Sequence, residues 1–339
     1  MIKVGLVGFG GIARVHKAAY ETLMKEANSK VKLVSIFDVN ASQFTKSISI
    51  NFARDIQNDI SAYHLYDDLD EMLAKEELHM LDVCIPTFLH EKTVCDLLNR
   101  GYHVYCEKPM AATFEEAMRM IEAKRDNDKR LLIGHLLRFM EINAYMKDIL
   151  DKNIYGNVVD AAFYRLSAAP RWNGWLLDAD KSGGCILDMH MHDIDLARFF
   201  FGDPYAVSTL SKDVYTRYDT NHTTLYYDDF TAQATGDWAL SASFPFTSGY
   251  RISLDKATIV LDGNTLTVYP EEGEAFSPDC TENDGILNAI RYFVRILETG
   301  EDNTVNPSIS SAQTVYIIKK MKESADRGGK KLSVLNLPR

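Results

Sequence analysis

Residues 4–13 read Val4-Gly5-Leu6-Val7-Gly8-Phe9-Gly10-Gly11-Ile12-Ala13, and the fold turns on them. The apolar run Ile2 to Val7 suits a buried parallel strand, and Ile12 to Leu23 suits a helix. Between them stands Gly8-x-Gly10-x-x-Ala13, the spacing of a dinucleotide-binding turn. Gly8 permits the tight turn, Gly10 lets backbone approach a pyrophosphate, and small Ala13 lets helix pack on strand. Phe9, Gly11 and Ile12 complete the loop, and free N–H groups at the helix start can face phosphates.

A second β-rich run, Val31 to Phe37, ends in Asp38. A carboxylate there accepts hydrogen bonds from both hydroxyls of an adenosine ribose and repels a 2′-phosphate. No Arg or Lys stands among Val39, Asn40, Ala41 and Ser42, so NAD is favoured over NADP.

A chain of 339 residues is long for one hydrophobic core and suits two domains. With 46% hydrophobic and 25% charged residues it has the make-up of a soluble globular protein. A formal charge of −11 with no basic stripe argues against nucleic acid or an anionic membrane as partner, leaving small-molecule chemistry. The sequence opens directly on a strand and holds no apolar run of transmembrane length, so a cytoplasmic protein is expected. Cys84, Cys95, Cys106, Cys185 and Cys280 form no C-x-x-C pair, which fits reduced thiols and no zinc site.

From the first strand onward, strand and helix alternate as in a doubly wound sheet. Helical patterns are expected over Ala41 to Arg54, after Asp67-Asp68, over His90 to Asn99, and from the capping box Thr113-Phe114-Glu115-Glu116 to Asp126. Buried strands are expected over Met80 to Ile85, Tyr102 to Cys106 and Leu131 to Gly134. The rhythm then changes. Val158–Leu166, Ala206–Tyr215, Thr231–Thr235, Ala239–Phe244, Arg251–Leu254, Ala257–Leu261 and Thr265–Tyr269 read as strands of an open, mainly antiparallel sheet. One helix, Gly184 to Phe201, interrupts them, and two follow, near 283–298 and 310–325. The expected fold class is α/β: a parallel Rossmann domain over 1–125 and an α+β domain over 126–339 for substrate binding and oligomerisation.

In a doubly wound sheet, ligands sit beyond the carboxyl ends of the strands. Pro86-Thr87-x-x-His90, Glu107-Lys108-Pro109 and Gly134-His135-x-x-Arg138 all follow strands. Lys108, fixed between a strand and a proline, is suited to stabilise alkoxide character on a substrate oxygen. In the second half, Asp188, His192 and Asp195 fall on one helical face, where a carboxylate one turn before a histidine supports a general base. A satisfied buried pair is the plainer reading of that stripe. His190 and His192 diverge on a helix, which disfavours a metal site; His190 suits packing or substrate contact.

These motifs together resemble the Gfo/Idh/MocA family of NAD(P)-dependent oxidoreductases, and Asp188-Met-His-Met-His-Asp-Ile-Asp-Leu-Ala-Arg198 is most similar to its inositol dehydrogenase branch. The resemblance implies a Lys108-Asp188-His192 catalytic group, with His192 as base and Asp188 positioning it. It also implies cofactor contacts from Pro86, Thr87, His90, Glu107 and Lys108, and a large sheet that mediates a homodimer or homotetramer. His190 stands where relatives commonly carry Gly or Thr, which implies a reshaped substrate pocket. The expected activity is oxidation of a secondary alcohol on a polyol, sugar or inositol-like substrate. Arg138, Trp172, Asn173, Trp175 and His190 are the expected substrate side. The alternatives are a non-catalytic sensor, or an enzyme that recycles tightly held NAD.

Overall fold

The computed structural model describes residues 1–46, 59–172, 174–335 and 337. Its contacts divide the chain into two units. The first comprises 1–111, 115–136 and 284–310; the second comprises 112–114, 137–283 and 311–339. The segment Asp284–Ser310 thus belongs with the N-terminal unit, whereas the sequence reading groups it with 126–339.

In the first unit the described strands are β1 (Ile2–Val7), β2 (Val31–Phe37), β3 (His64–Tyr66), β4 (Met80–Val83), β5 (His103–Cys106) and β6 (Leu131–Ile133). They form a sheet of order β3-β2-β1-β4-β5-β6 in which every pair is parallel. This is the doubly wound order, and it follows from crossovers through α1 (Gly11–Met24), α2 (Leu69–Lys75), α3 (His90–Asn99) and α4 (Phe114–Asp126). The central strands are apolar because both faces are covered, with Val4, Leu6, Met80, Leu81 and Val104 wholly buried. Burying each such side chain is worth about 1.5–3 kcal/mol. One charged residue breaks the pattern: Asp82, in the middle of β4, has no exposed surface.

Of the helix expected over Ala41 to Arg54, the described residues form a short 3-10 turn at Ala41–Phe44, capped by the Asn40 side chain. Residues 47–58 lie outside the described set. The helix α9 (Gly285–Thr299) starts on Asp284, whose carboxylate accepts from the N–H groups of Ile286 and Leu287. Its apolar face packs on the first unit, where Phe293 meets the Tyr105 ring edge-on at 6.2 Å.

The second unit is built on a larger sheet of order β13-β12-β11-β7-β10-β9-β8-β14. Its strands are β7 (Val158–Ala168), β8 (Ala206–Lys212), β9 (Thr220–Tyr226), β10 (Thr231–Leu240), β11 (Thr247–Leu254), β12 (Ala257–Asp262), β13 (Thr265–Pro270) and β14 (Leu332–Ser333). All neighbours are antiparallel except β7 and β10. Strict alternation along β7 buries Ala161, Phe163, Arg165 and Ser167 on one face. That face is covered by α5 (Glu141–Asp151), α8 (Met191–Phe201) and α10 (Ser308–Ala325), whose Met146, Ile194, Ile318 and Met321 join one core cluster with Phe163, Tyr250 and Ile252. The expected strand Thr231–Thr235 runs on through Ala239 to Leu240 as β10, Ser241–Phe244 of the second expected strand form a turn, and β9 and β14 are additions to the sequence reading.

Candidate active site

At the carboxyl edge of the parallel sheet, each strand exit is stitched to its neighbour. Gly8 N–H donates to Phe37 O at 2.8 Å, Cys84 N–H to Val7 O at 2.8 Å, and Glu107 N–H to Val83 O at 2.9 Å. The ladder therefore aligns the glycine loop with the turns that carry Thr87 and Lys108.

The glycine loop has the shape of a phosphate cradle. Gly8 has φ +89°, and a Cβ there would sit 2.6 Å from Cys84 O, so only glycine is accommodated. A Cβ on Gly10 would meet nothing within 4 Å, leaving open space in front of the N-terminus of α1. Asp38 Oδ2 accepts from Phe9 N–H at 2.8 Å and Oδ1 from Asn40 N–H at 2.8 Å, so the carboxylate is oriented before any ribose is bound. These features fit a dinucleotide. Arg14 is a cation near Asp38 that the reading of residues 39–42 did not reach. Its guanidinium lies 4.6 Å over the Phe9 ring, and Nη2 donates to Gln43 O and Lys46 O. Burial lowers its pKa, and the Asp38 charge acts in the opposite sense.

Thr87 is buried, and His90 has its two ring nitrogens 2.7 Å from Pro109 O and 2.8 Å from Ile85 O. Burial holds His90 below its ordinary pKa while the two carbonyls act in the opposite sense, and the ring ties one strand exit to the next. The peptide Lys108-Pro109 is cis. In the run Val104–Ala111 every residue is buried except Lys108, which alone reaches accessible space. Cys106 is buried and its thiol is pushed up by that burial, so it stays protonated.

The second unit repeats the pattern. In the run Ser182–Arg198 every residue is buried except Asp188 and His192. After the short α6 (Ala179–Ser182), the single helix expected from Gly184 to Phe201 is two: α7 (Cys185–Asp188) and α8, separated at Met189 and His190. His190 N–H reaches five residues back to Cys185 O at 2.8 Å, a wide turn that offsets the helical register. The offset is fixed by packing. A Cβ on Gly236 of β10 would lie 2.5 Å from His190 Nδ1, so the ring seats where the strand has no side chain.

Arg138 and His190, expected on the substrate side, are buried. Arg138 makes a bidentate pair with Asp195 through Nε and Nη2, both at 2.8 Å, and Thr314 donates to the same carboxylate. Asp195 is therefore buried against Arg138, whereas Asp188 and His192 keep accessible surface. His190 has no exposed surface and places Nε2 3.0 Å from Thr223 Oγ1. Trp172 is half exposed, Trp175 is partly buried, and Asn173 lies outside the described residues.

The sequence reading missed His16, which bridges Asp82 and Glu107 at 2.9 and 3.0 Å. The signal was present: a carboxylate inside an apolar parallel strand demands a partner, and His16 lies three residues after Ala13 on the sheet-facing side of α1. Among the described residues, His16, Asp82 and Cys84 also have donor atoms within 4.8 Å of one another.

A nucleotide cradle on a doubly wound sheet, with a lysine turn beyond β5, defines a dinucleotide-dependent oxidoreductase fold. A family model described as "Oxidoreductase family, NAD-binding Rossmann fold" matches residues 2–135, and the GFO/IDH/MocA C-terminal domain matches residues 143–274. The chain belongs to the Gfo/Idh/MocA family. Glucose-6-phosphate 3-dehydrogenase of Bacillus subtilis (strain 168) is 27% identical over 225 residues, covering 65% of this chain and 59% of that protein. Inositol 2-dehydrogenase of Salmonella paratyphi B is 25% identical over 209 residues, covering 60% and 56%. The chain spans about half the length of such curated relatives. A levoglucosan dehydrogenase complex with NADH and levoglucosan shares the fold, with a TM-score of 0.84 over 99% of this chain and 100% of that one at 17% identity. Among the described residues, no helix is long and apolar enough to cross a membrane.

Proposed function

We infer that the protein is an NAD-dependent dehydrogenase that oxidises a secondary alcohol of a sugar or polyol. One observation carries this reading. Two long buried runs each expose only the residues suited to the chemistry: Lys108 in one, Asp188 and His192 in the other. A buried run that leaves polar side chains accessible at selected positions presents them to a solute. The names of relatives that act on a sugar phosphate and on inositol support the substrate class.

NAD, when bound, supplies the acceptor for the carbinol hydride. Gly8, Gly10 and the N-terminus of α1 would hold its pyrophosphate, and Asp38 its adenosine ribose. His192 takes the hydroxyl proton as the C–H electron pair leaves, and Asp188 fixes the imidazole tautomer. Lys108 is the hydrogen-bond donor assigned to stabilise negative charge developing on a substrate oxygen. Proton transfer by a positioned base contributes about 10²–10⁴-fold in rate. Trp172 and Trp175 offer apolar faces to a sugar's C–H surface.

The test is NAD reduction across a panel of polyols, sugars and sugar acids, with NADP in parallel. NADH formation on at least one secondary alcohol is expected, with kcat/KM for NAD at least ~10-fold above that for NADP, because the Asp38 carboxylate repels a 2′-phosphate. No reduction on any member, or a preference for NADP in spite of Asp38, would contradict the reading.

A further inference from the structure

The buried group centred on His16 is not used by the chemistry above, yet it ends on the backbone of Lys108. Asp82 Oδ2 lies 2.9 Å from His16 Nδ1 and accepts from Tyr20 Oη at 2.9 Å, while Cys84 Sγ lies 3.5 Å from Oδ1. On the other side, Glu107 Oε1 lies 3.0 Å from His16 Nε2, and Glu107 Oε2 accepts from Lys108 N–H at 3.1 Å. His16, Tyr20 and Asp82 have no exposed surface, and Glu107 is 5% exposed. Gly134 makes room for this arrangement, since a Cβ there would lie 2.7 Å from Glu107 Oε1.

A neutral imidazole carries one N–H, so one of the two carboxylates would face a ring lone pair at about 3 Å. The imidazolium alone donates to both. We propose that His16 is a positioning residue: as a buried imidazolium clamped between Asp82 and Glu107, it fixes the Glu107 carboxylate that anchors the Lys108 backbone. The inference rests on the catalytic reading of Lys108.

The electrostatics agree in direction. Burial pulls the His16 pKa down, but Asp82 first and Cys84 after it, through charge and hydrogen bonding, more than reverse it and hold it well above its ordinary value. Burial raises Glu107, and the His16 hydrogen bond and charge, with Lys108, bring it below the usual carboxylate value. The groups facing His16 are Tyr20 on its own helix, Asp82 and Cys84 on β4 and its exit, and Tyr105 and Glu107 on β5 and its exit. Carboxylate, imidazolium and carboxylate thus alternate in charge from Asp82 through His16 to Glu107, and Lys108 adds a cation beside Glu107.

Two measurements test the role. In the intact protein labelled with nitrogen-15 at histidine, the His16 ring, assigned by its loss in His16→Gln, should keep both nitrogens protonated at pH values where an ordinary histidine is neutral. Titration near the ordinary histidine value of about 6.5 would overturn the proposal. So would a stoichiometric metal in the purified protein, held by His16, Asp82 and Cys84. In kinetics, His16→Gln should lower kcat on the order of 10–100-fold, the scale of a misplaced catalytic group, while NADH affinity changes less than ~3-fold. The double variant His16→Gln with Glu107→Gln should be no slower than the slower single one, because both act through one contact. Wild-type kcat in His16→Gln, or additive losses, would overturn the assignment. If Lys108→Ala retains turnover, the reading of Lys108 falls and this role with it. If Lys108→Ala is inactive and His16→Gln is not slowed, the positioning role alone falls.

Discussion

His190 joins the geometry of the second unit to the pH dependence of its stability. Burial, then the nearby Arg165 charge, push its pKa down to about 3. Above pH ~6.5 the ring is neutral in both folded and unfolded chains and contributes nothing to pH dependence. As pH falls through 6.5, the unfolded chain binds a proton that the folded chain accepts only near pH 3, so stability is lost over that window. At 1.36 kcal/mol per unit the loss is about 2 kcal/mol by pH 5. His103, lowered to about 4 chiefly by burial, acts in the same sense. His190→Asn, which keeps a donor near Thr223, should narrow the gap in Tm between pH 7 and pH 5. An unchanged gap would show that the ring is not neutral in the folded state.

The elements show where a sequence speaks and where it does not. At Gly184, before α7, φ is +76° and a Cβ would lie 2.3 Å from Arg217 O. Backbone cannot retreat as a flexible side chain can, so Gly184→Ala should cost about 2 kcal/mol or more in denaturant unfolding; a loss under about 0.5 kcal/mol would mean that the loop gives way. The Asp219 loop makes a similar case. Its carboxylate accepts from the N–H groups of Val214, Tyr215 and Thr216 at 2.6–2.8 Å and from Trp238 Nε1. Asp219→Ala strands the buried Trp238 N–H and unties three N–H groups of a partly exposed loop, and should cost about 2 kcal/mol; urea titration with a shift below about 0.5 kcal/mol would contradict that.

The parallel sheet was legible because β1, β4 and β5 are apolar runs punctuated by Gly and Pro, and the glycine spacing fixes the first crossover. Strand β9 was not, because its inward positions are Asn221, Thr223 and Leu225: two of three buried side chains are polar, so the alternation reads as a polar loop. Strand β10 read as two pieces because Gly236 and Asp237 stand mid-strand, and Gly236 is glycine for the sake of His190. The same contact breaks the helix that the Asp188 to Asp195 spacing implied. The lysine, aspartate and histidine of the candidate site were legible as residue types in motif, whereas the His16 clamp joins positions 66 and 91 residues apart that no local pattern links.

At the scale of the whole molecule, the eight-stranded sheet carries apolar side chains on its outward positions, with Leu210 58% exposed and Tyr164, Leu166 and Val260 half-buried. An antiparallel sheet of that breadth with apolar residues on its outer face suits self-association. Sedimentation of the purified protein should give a multiple of 38.3 kDa, two or four chains. A monomer at micromolar concentration would remove that proposal without touching the chemistry.

The proposed chemistry needs both Lys108 and His192. The direct measurement is the rate of NADH formation in a single turnover, with enzyme in excess over the alcohol substrate, for the wild type, Lys108→Ala and His192→Ala, alongside NADH affinity by fluorescence. Each variant should lose about 10²-fold or more in that rate while binding NADH within ~3-fold of the wild type. Wild-type rates in either variant, with the cofactor bound as before, would contradict the account.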